Sequence, residues 1–175
     1  MSLSKALIVH ASQLLVQEHA GPRRDEMRNV CERRAISAAY YALFHHINAS
    51  AVSQIAPQVS DQTNHRIQRW FEHAEMKRVC GRFLATRLEK PLLDLLGPAA
   101  SPELRNVAQS FIQLQEARHS ADYDLSYNFN PTDPLQLVQL ALGAMASWDQ
   151  IEKSAEANIF ILSLLMWKNW EKERP

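Results

Sequence analysis

The spacing of the apolar residues constrains the fold of this 175-residue chain more than any other feature of the sequence. Apolar side chains recur every three or four positions in successive segments, as they do along one face of a helix. No segment shows the two-residue alternation of a strand bounded by turn residues, and only four glycines occur. The sequence therefore predicts an all-α protein, an up-and-down bundle of four or five helices that forms one domain over 1–175.

Residues that start and stop helices divide the chain into segments. Asp25 precedes a long apolar-periodic segment, and Ser101 and Asp133, each followed by proline, are typical of helix starts. Pro57 and Pro91 stop the segments before them. These signals predict a first helix over about 4–19 and a second over 25–55. A third begins at 61 or 63 and ends before 91, a fourth begins at 102 and ends within 116–129, and a fifth covers 134–151. A tail over 156–171 either extends the fifth helix or forms a sixth. The inward face predicted for the fifth helix is Leu135, Val138, Leu142, Met145, Trp148 and Ile151.

The charge balance argues against a general polyanion binder. Nineteen basic residues match nineteen acidic ones, so the formal net charge is zero. The charge is uneven along the chain, with a net of +3 over 61–90 and −4 over 91–135. This asymmetry favours a local anion site or a partner of complementary charge.

The remaining composition predicts a cytoplasmic protein without a metal or a cofactor. Cys31 and Cys80 lie in helical segments without metal-ligand spacing, which is typical of buried free thiols in a reducing compartment. The N-terminal segment lacks the pattern of a secretory signal, and the most apolar run, 159–167, is too short to cross a bilayer. His45 and His46 have no carboxylate or cysteine at ligand spacing, so no metal site is expected.

The second helix carries a polar strip within the segment RRAISAAYYALFHHINAS, residues 33–50. At 3.6 residues per turn, one face of this segment holds Arg34, Ser37, Ala38, Tyr41 and His45. The many small residues of the segment allow another helix to approach closely. We therefore expect a packed helix whose polar strip needs a partner.

The fourth helix supplies a matching polar end. Its apolar stripe continues into Arg118 and then Asp122, in the segment EARHSADYDLSYNF, residues 116–129. Inward-facing polar groups need hydrogen-bond partners. We therefore expect the second and fourth helices to be neighbours, with Asp122 pairing with an arginine and Tyr123 adding a hydroxyl. Such a cluster is either a functional cleft or a closed set of contacts that fixes helix register.

Two motifs of this chain resemble the HEPN superfamily, the higher-eukaryote and prokaryote nucleotide-binding domain: RRAISAAYYALFHH in the second helix and ARHSADYD in the fourth. They are similar to the R-A-[IV]-S-x-A-Y-Y-A-x-F-H and R-x-x-A-D-Y motifs of its small bacterial and archaeal branch, over about residues 25–170. The resemblance implies a helical bundle that forms a homodimer with a cleft at the dimer face. It also implies RNA or nucleotide binding, often in toxin–antitoxin or defence modules beside a nucleotidyltransferase-type partner.

The chain departs from the HEPN family at the ribonuclease motif. Many HEPN proteins are metal-independent ribonucleases in which four to six residues separate an arginine from a histidine. The arginine holds the scissile phosphate while the histidine moves a proton during attack by the ribose 2′-hydroxyl. After Arg118, the corresponding positions hold Tyr123, Asp124 and Leu125. Tyrosine, with an ordinary pKa of about 10, is a poor base at neutral pH.

Three functions are therefore open. The first is RNA or nucleotide binding with a degenerate ribonuclease motif, through Arg34, Tyr41, Arg118, Asp122 and Tyr123. The second is an active ribonuclease that uses Arg118 with His45 or His119. The third is a protein–protein interaction module without catalysis. A separate basic face on the predicted third helix either follows a phosphate backbone or is a solvated surface paired with nearby glutamates; it consists of Arg66, Arg69, His73 and Lys77.

Overall fold

The structure, a computed structural model, describes residues 2–17, 21 and 23–172. These residues form helices and no strand, so the predicted all-α bundle is confirmed. The helices are α1 (Leu3–Val16), α2 (Arg24–Ile55), α3 (Asp61–Gln68), α4 (His73–Phe83), α5 (Leu92–Leu96), α6 (Pro102–Tyr123), α7 (Asp133–Ile151) and α8 (Ala155–Lys172). The predicted end of the first helix, at residue 19, lies outside the described residues.

The central pair of the bundle is α2 against α6, as the complementary polar strips predicted. One face of α2 meets α6, and Arg33, Ser37 and Tyr40 on that face all contact α6. The facing stripe of α6 is fully buried and consists of Leu104, Val107, Phe111 and Leu114. The rings of Tyr40 and Phe111 meet across this interface with centroids 5.6 Å apart. This packing brings the polar ends of both stripes together.

Side-chain caps fix where α6 begins. The Ser101 hydroxyl accepts a hydrogen bond from the Leu104 backbone N–H at 3.2 Å, and Pro102 occupies the first turn, as predicted. The Ser101 backbone N–H in turn donates to the Glu156 carboxylate at 2.7 Å. The start of α8 is thereby tied to the start of α6.

The predicted single third helix is wrong, because the chain breaks after Gln68. Helices α3 and α4 are separate, and the chain between them turns so that Phe71 is buried in the core beside Ile67. No glycine or proline marks this break in the sequence, and Gly81 lies inside α4. Burial of Phe71 therefore overrides a continuous helical pattern.

The predicted inward face of the fifth helix is partly wrong. Leu135 and Leu142 are exposed on α7, whereas Ala141 and Ala144 are buried. Helix α7 contacts both α2 and α6, so small side chains at these positions allow close packing on two sides. Val138, Met145 and Trp148 are buried as predicted.

Both cysteines are buried and free, as predicted. Burial raises the pKa of the Cys80 thiol, which keeps it protonated and unreactive. Among the residues that the structure describes, no helix is both long enough and apolar enough to pass through a membrane.

Candidate functional site

Arg118 is the centre of a polar cluster at the C-terminal end of α6. Its Nε lies 2.7 Å from Oδ2 of Asp122, one helical turn further along. Its Nη2 donates a hydrogen bond to the Tyr41 hydroxyl of α2 at 2.9 Å and lies 3.5 Å from the Tyr123 hydroxyl. Of the arginines that could pair with Asp122, the structure places Arg118 beside it, and the hydrogen bond to Tyr41 joins the two helices that carry the motifs.

The Arg118 guanidinium is held in place but keeps an unused donor. The Nε–H does not point at Asp122 with hydrogen-bond geometry, so their contact is an ion pair rather than an aligned hydrogen bond. Among the described residues, Nη1 has no hydrogen-bond partner. The side chain is 21% exposed, so solvent still reaches part of it. A second acceptor can therefore approach this arginine without displacing Tyr41.

Three aromatic rings surround the guanidinium. Its Cζ lies 5.4 Å from the ring centroid of Tyr41, 5.3 Å from that of Tyr123 and 6.0 Å from that of Tyr40. Burial by itself would lower the pKa of Arg118, but Tyr41, Asp122 and Tyr123 raise it, and the net shift is upward. The cluster therefore holds a permanent positive charge.

Asp122 is the competitor for any anion at this site. Its Oδ2 accepts from the Ser37 hydroxyl at 3.4 Å as well as contacting Arg118. The carboxylate side chain is only 19% exposed. A phosphate bound to Arg118 would lie beside this carboxylate. The phosphate therefore has to approach the guanidinium from its Nη1 side, which makes no hydrogen bond with a described residue.

Arg33, rather than Arg34, is the buried arginine of the second helix. Its guanidinium donates to backbone carbonyls in the last turn of α6 and just after it: those of Ser120, Ala121, Asp124 and Tyr127, at 2.5 to 3.2 Å. It therefore caps the C-terminus of α6, where carbonyl groups lack helical partners. Arg34 is exposed and forms no ion pair or hydrogen bond with a described residue. The prediction that Arg34 joins the cluster is therefore wrong.

His73 belongs to the cluster, although the sequence placed it on a basic face. The Tyr40 hydroxyl and His73 Nδ1 are 2.5 Å apart, and the His73 ring lies 4.1 Å from that of Phe44. Tyr40 is buried and has no other acceptor among the described residues, so its O–H donates to Nδ1. The pKa of His73 is lowered by burial, by Arg118 and by His45. The imidazole is therefore neutral at pH 7, and its Nδ1 lone pair is occupied.

His45 lies beside Tyr41 but presents no accessible base at Nδ1. The two rings are stacked at 6.2 Å, with planes 25° apart. Its Nδ1 is fully buried and has no partner among the described residues. Burial lowers the pKa of His45. His45, one of the two histidines predicted to act with Arg118, therefore contributes an uncharged ring to the cluster.

His119 lies outside the cluster, on the exposed face of α6. Its ring packs against Tyr123 with centroids 5.2 Å apart. It borders a surface pocket of about 460 Å³ that Arg118 also lines. On the far side of that pocket, Lys77 pairs with Glu116 at 2.9 Å.

The predicted basic face does not form on one helix. Arg66 lies in α3, Arg69 follows that helix, and both are exposed, whereas His73 and Lys77 lie in α4. The break between the helices separates the two pairs. Within the described part of the chain, no group of three or more histidine, cysteine or acidic side chains could hold a metal ion.

Comparisons of the chain with models of protein families, with curated proteins and with solved structures gave no match.

Proposed function

We propose that this protein binds a phosphate group of RNA or of a nucleotide at Arg118, as a HEPN-like protein whose ribonuclease motif is degenerate. The observation that carries the proposal is a permanently charged, half-buried guanidinium whose hydrogen bonds to described residues all leave from Nη2. Tyr41 and Asp122 hold it in one orientation, so little side-chain entropy remains to be lost on binding.

The residues after Arg118 favour binding over cleavage, since the positions where the motif would have histidine carry no imidazole. Tyr123 stands at the first position where the motif would have histidine. Asp124, at the next, accepts from the Ser126 hydroxyl and backbone N–H and from the Tyr127 N–H, and these bonds lower its pKa. A low pKa makes this carboxylate a weak proton acceptor.

RNA incubated with the pure protein in EDTA tests this function. We expect saturable binding of a labelled single-stranded RNA with no cleavage above background. Replacing Tyr123 with histidine restores the motif spacing and should raise cleavage, because a positioned general base contributes about 10²–10⁴-fold in rate. Robust cleavage by the unaltered protein would instead support the ribonuclease that uses Arg118 with His45 or His119. No binding at all would favour the protein–protein module.

The proposal includes a two-fold homodimer with the Arg118 ends facing each other. Large apolar side chains are exposed just beyond Arg118: Tyr123 is 65% exposed, Leu125 85% and Tyr127 46%. Such a patch is typical of an interaction surface. We expect the protein to sediment as a dimer and Leu125→Asp to yield a monomer, whereas Leu135→Asp, at an exposed leucine of α7, should leave the dimer intact. A monomeric unaltered protein at micromolar concentration would contradict the shared cleft.

The resemblance extends the proposal to biological context. A protein of this kind would act in the cytoplasm as the toxin-like half of a toxin–antitoxin or defence module. A nucleotidyltransferase encoded by the adjacent gene would support that assignment, and an unrelated neighbour would count against it.

A further inference from the structure

A large cavity lies beside the Arg118 cluster, and His45 and His73 line it. It has a volume of about 950 Å³ and is bounded by the first turn of α1, by α2 and by the connection between α3 and α4. Aromatic and imidazole rings line it, namely those of Phe44, His45, Phe71 and His73. Polar side chains at its border include Gln68 and Arg69. Flat apolar walls with a few polar groups are typical of sites for planar ligands.

Tyr41 connects this cavity with Arg118. Its hydroxyl accepts the hydrogen bond from Arg118, whereas its ring stacks on His45 and meets His73 edge-on at 5.9 Å. His45 and His73 both line the cavity. Tyr41 is half-buried, so part of its side chain is open to a ligand.

We propose that this cavity holds the base of the nucleotide whose phosphate Arg118 binds, with the ribose lying over Tyr41. This assignment rests on the proposed function and adds to it a base-recognition site. The rings of Phe44 and His73 lie with centroids 4.1 Å apart and planes tilted by 31°, and aromatic side chains of this kind are those on which a nucleobase stacks. Gln68 offers both a donor and an acceptor to the edge of the base.

Calorimetric titration with two probes tests the base site. Adenosine 5′-monophosphate and ribose 5-phosphate share the phosphate and sugar, and only the first carries a base. We expect the unaltered protein to bind the nucleotide about tenfold or more tightly than the sugar phosphate, since stacking on aromatic side chains contributes strongly for each base.

A cavity-filling variant separates the base site from the phosphate site. Ala49 is exposed and lines the cavity, so Ala49→Trp should reduce the affinity for the nucleotide to that for ribose 5-phosphate while leaving the latter unchanged. Ala146→Trp, at an exposed position of α7 away from the cavity, should change neither affinity. Thermal unfolding of both variants checks that they are folded.

The outcomes distinguish this inference from the function on which it rests. Equal affinities of the unaltered protein for the two probes would overturn the base site and leave the phosphate site standing. Unchanged nucleotide affinity in folded Ala49→Trp would also overturn it. Binding of neither probe would overturn both.

Discussion

Arg118→Ala is expected to abolish measurable RNA binding, with a loss of affinity of about 100-fold or more. The physical reason is the removal of the charged group that contacts the phosphate, because hydrogen bonds to charged groups are worth about 1.5–3 kcal/mol each. Without the arginine, the Tyr41 hydroxyl oxygen and the Asp122 carboxylate would also face the incoming anion with no positive charge between them. Fluorescence anisotropy with a labelled single-stranded RNA at fixed salt measures the effect.

A charge-matched control makes this result interpretable. Arg87 is exposed in the connection between α4 and α5, so Arg87→Ala removes the same charge from another part of the surface. Its affinity should fall only by the small, salt-dependent amount expected for one long-range charge. Equal losses in the two variants would mean that binding depends on overall charge rather than on this site. Circular dichroism must show that both variants are folded.

Arg33→Met is expected to lower the free energy of unfolding by about 3 kcal/mol or more, since it leaves buried acceptors without donors. Arg33 donates to backbone carbonyls of the segment that ends α6, and it also bonds the Asn29 side chain at 2.9 Å. The Phe129 ring lies 5.7 Å from its guanidinium, so cation–π contact is lost as well. Urea denaturation followed by circular dichroism measures the change.

The adjacent arginine is a matched control for this stability effect. Arg34 is exposed, so Arg34→Met should change the free energy of unfolding by no more than about 0.5 kcal/mol. The contrast between two neighbouring arginines tests which of them is the structural one. A larger loss for Arg34→Met than for Arg33→Met would show that the cap at the end of α6 is wrongly assigned.

The helices and their main pairing could be predicted because their signals are local and repeated. The N-cap at Ser101 and the stripe from Leu104 to Leu114 each depend on residues within a few turns of one another. The contact between Arg118 and Tyr41 followed from one rule, that inward-facing polar groups need partners. The cap and the stripe therefore do not depend on distant parts of the chain, and the contact, which joins two distant segments, required only that their polar strips face each other.

The remaining features depend on tertiary packing that helical periodicity does not encode. Arg33 and Arg34 differ by only 100° around α2, and the neighbouring helix end decides which one is buried. The sequence did not place His73 in the cluster, because the helix break before it accompanies the burial of Phe71 and has no local signal. A continuous helix would have kept His73 beside Arg66 and Arg69.

The break before α4 decides where His73 lies. It brings His73 against Tyr40 and Phe44, so that this one side chain contacts the Arg118 cluster and also lines the large cavity. The side chains that line the cavity therefore come from α1 to α4 and their connections, and of these helices only α2 carries a recognisable motif. A motif-based account of this site would miss the part proposed to recognise the base.

The central claim, that Arg118 holds a phosphate, is tested most directly by NMR of the arginine side chains during titration with adenosine 5′-monophosphate. The Arg118→Lys variant assigns the Nε–H signal of Arg118 by its disappearance. We predict that this signal shifts in a saturable manner and more than that of any exposed arginine such as Arg66. An Arg118 signal that stays fixed at its ion pair with Asp122 while the exposed arginines shift would contradict the claim.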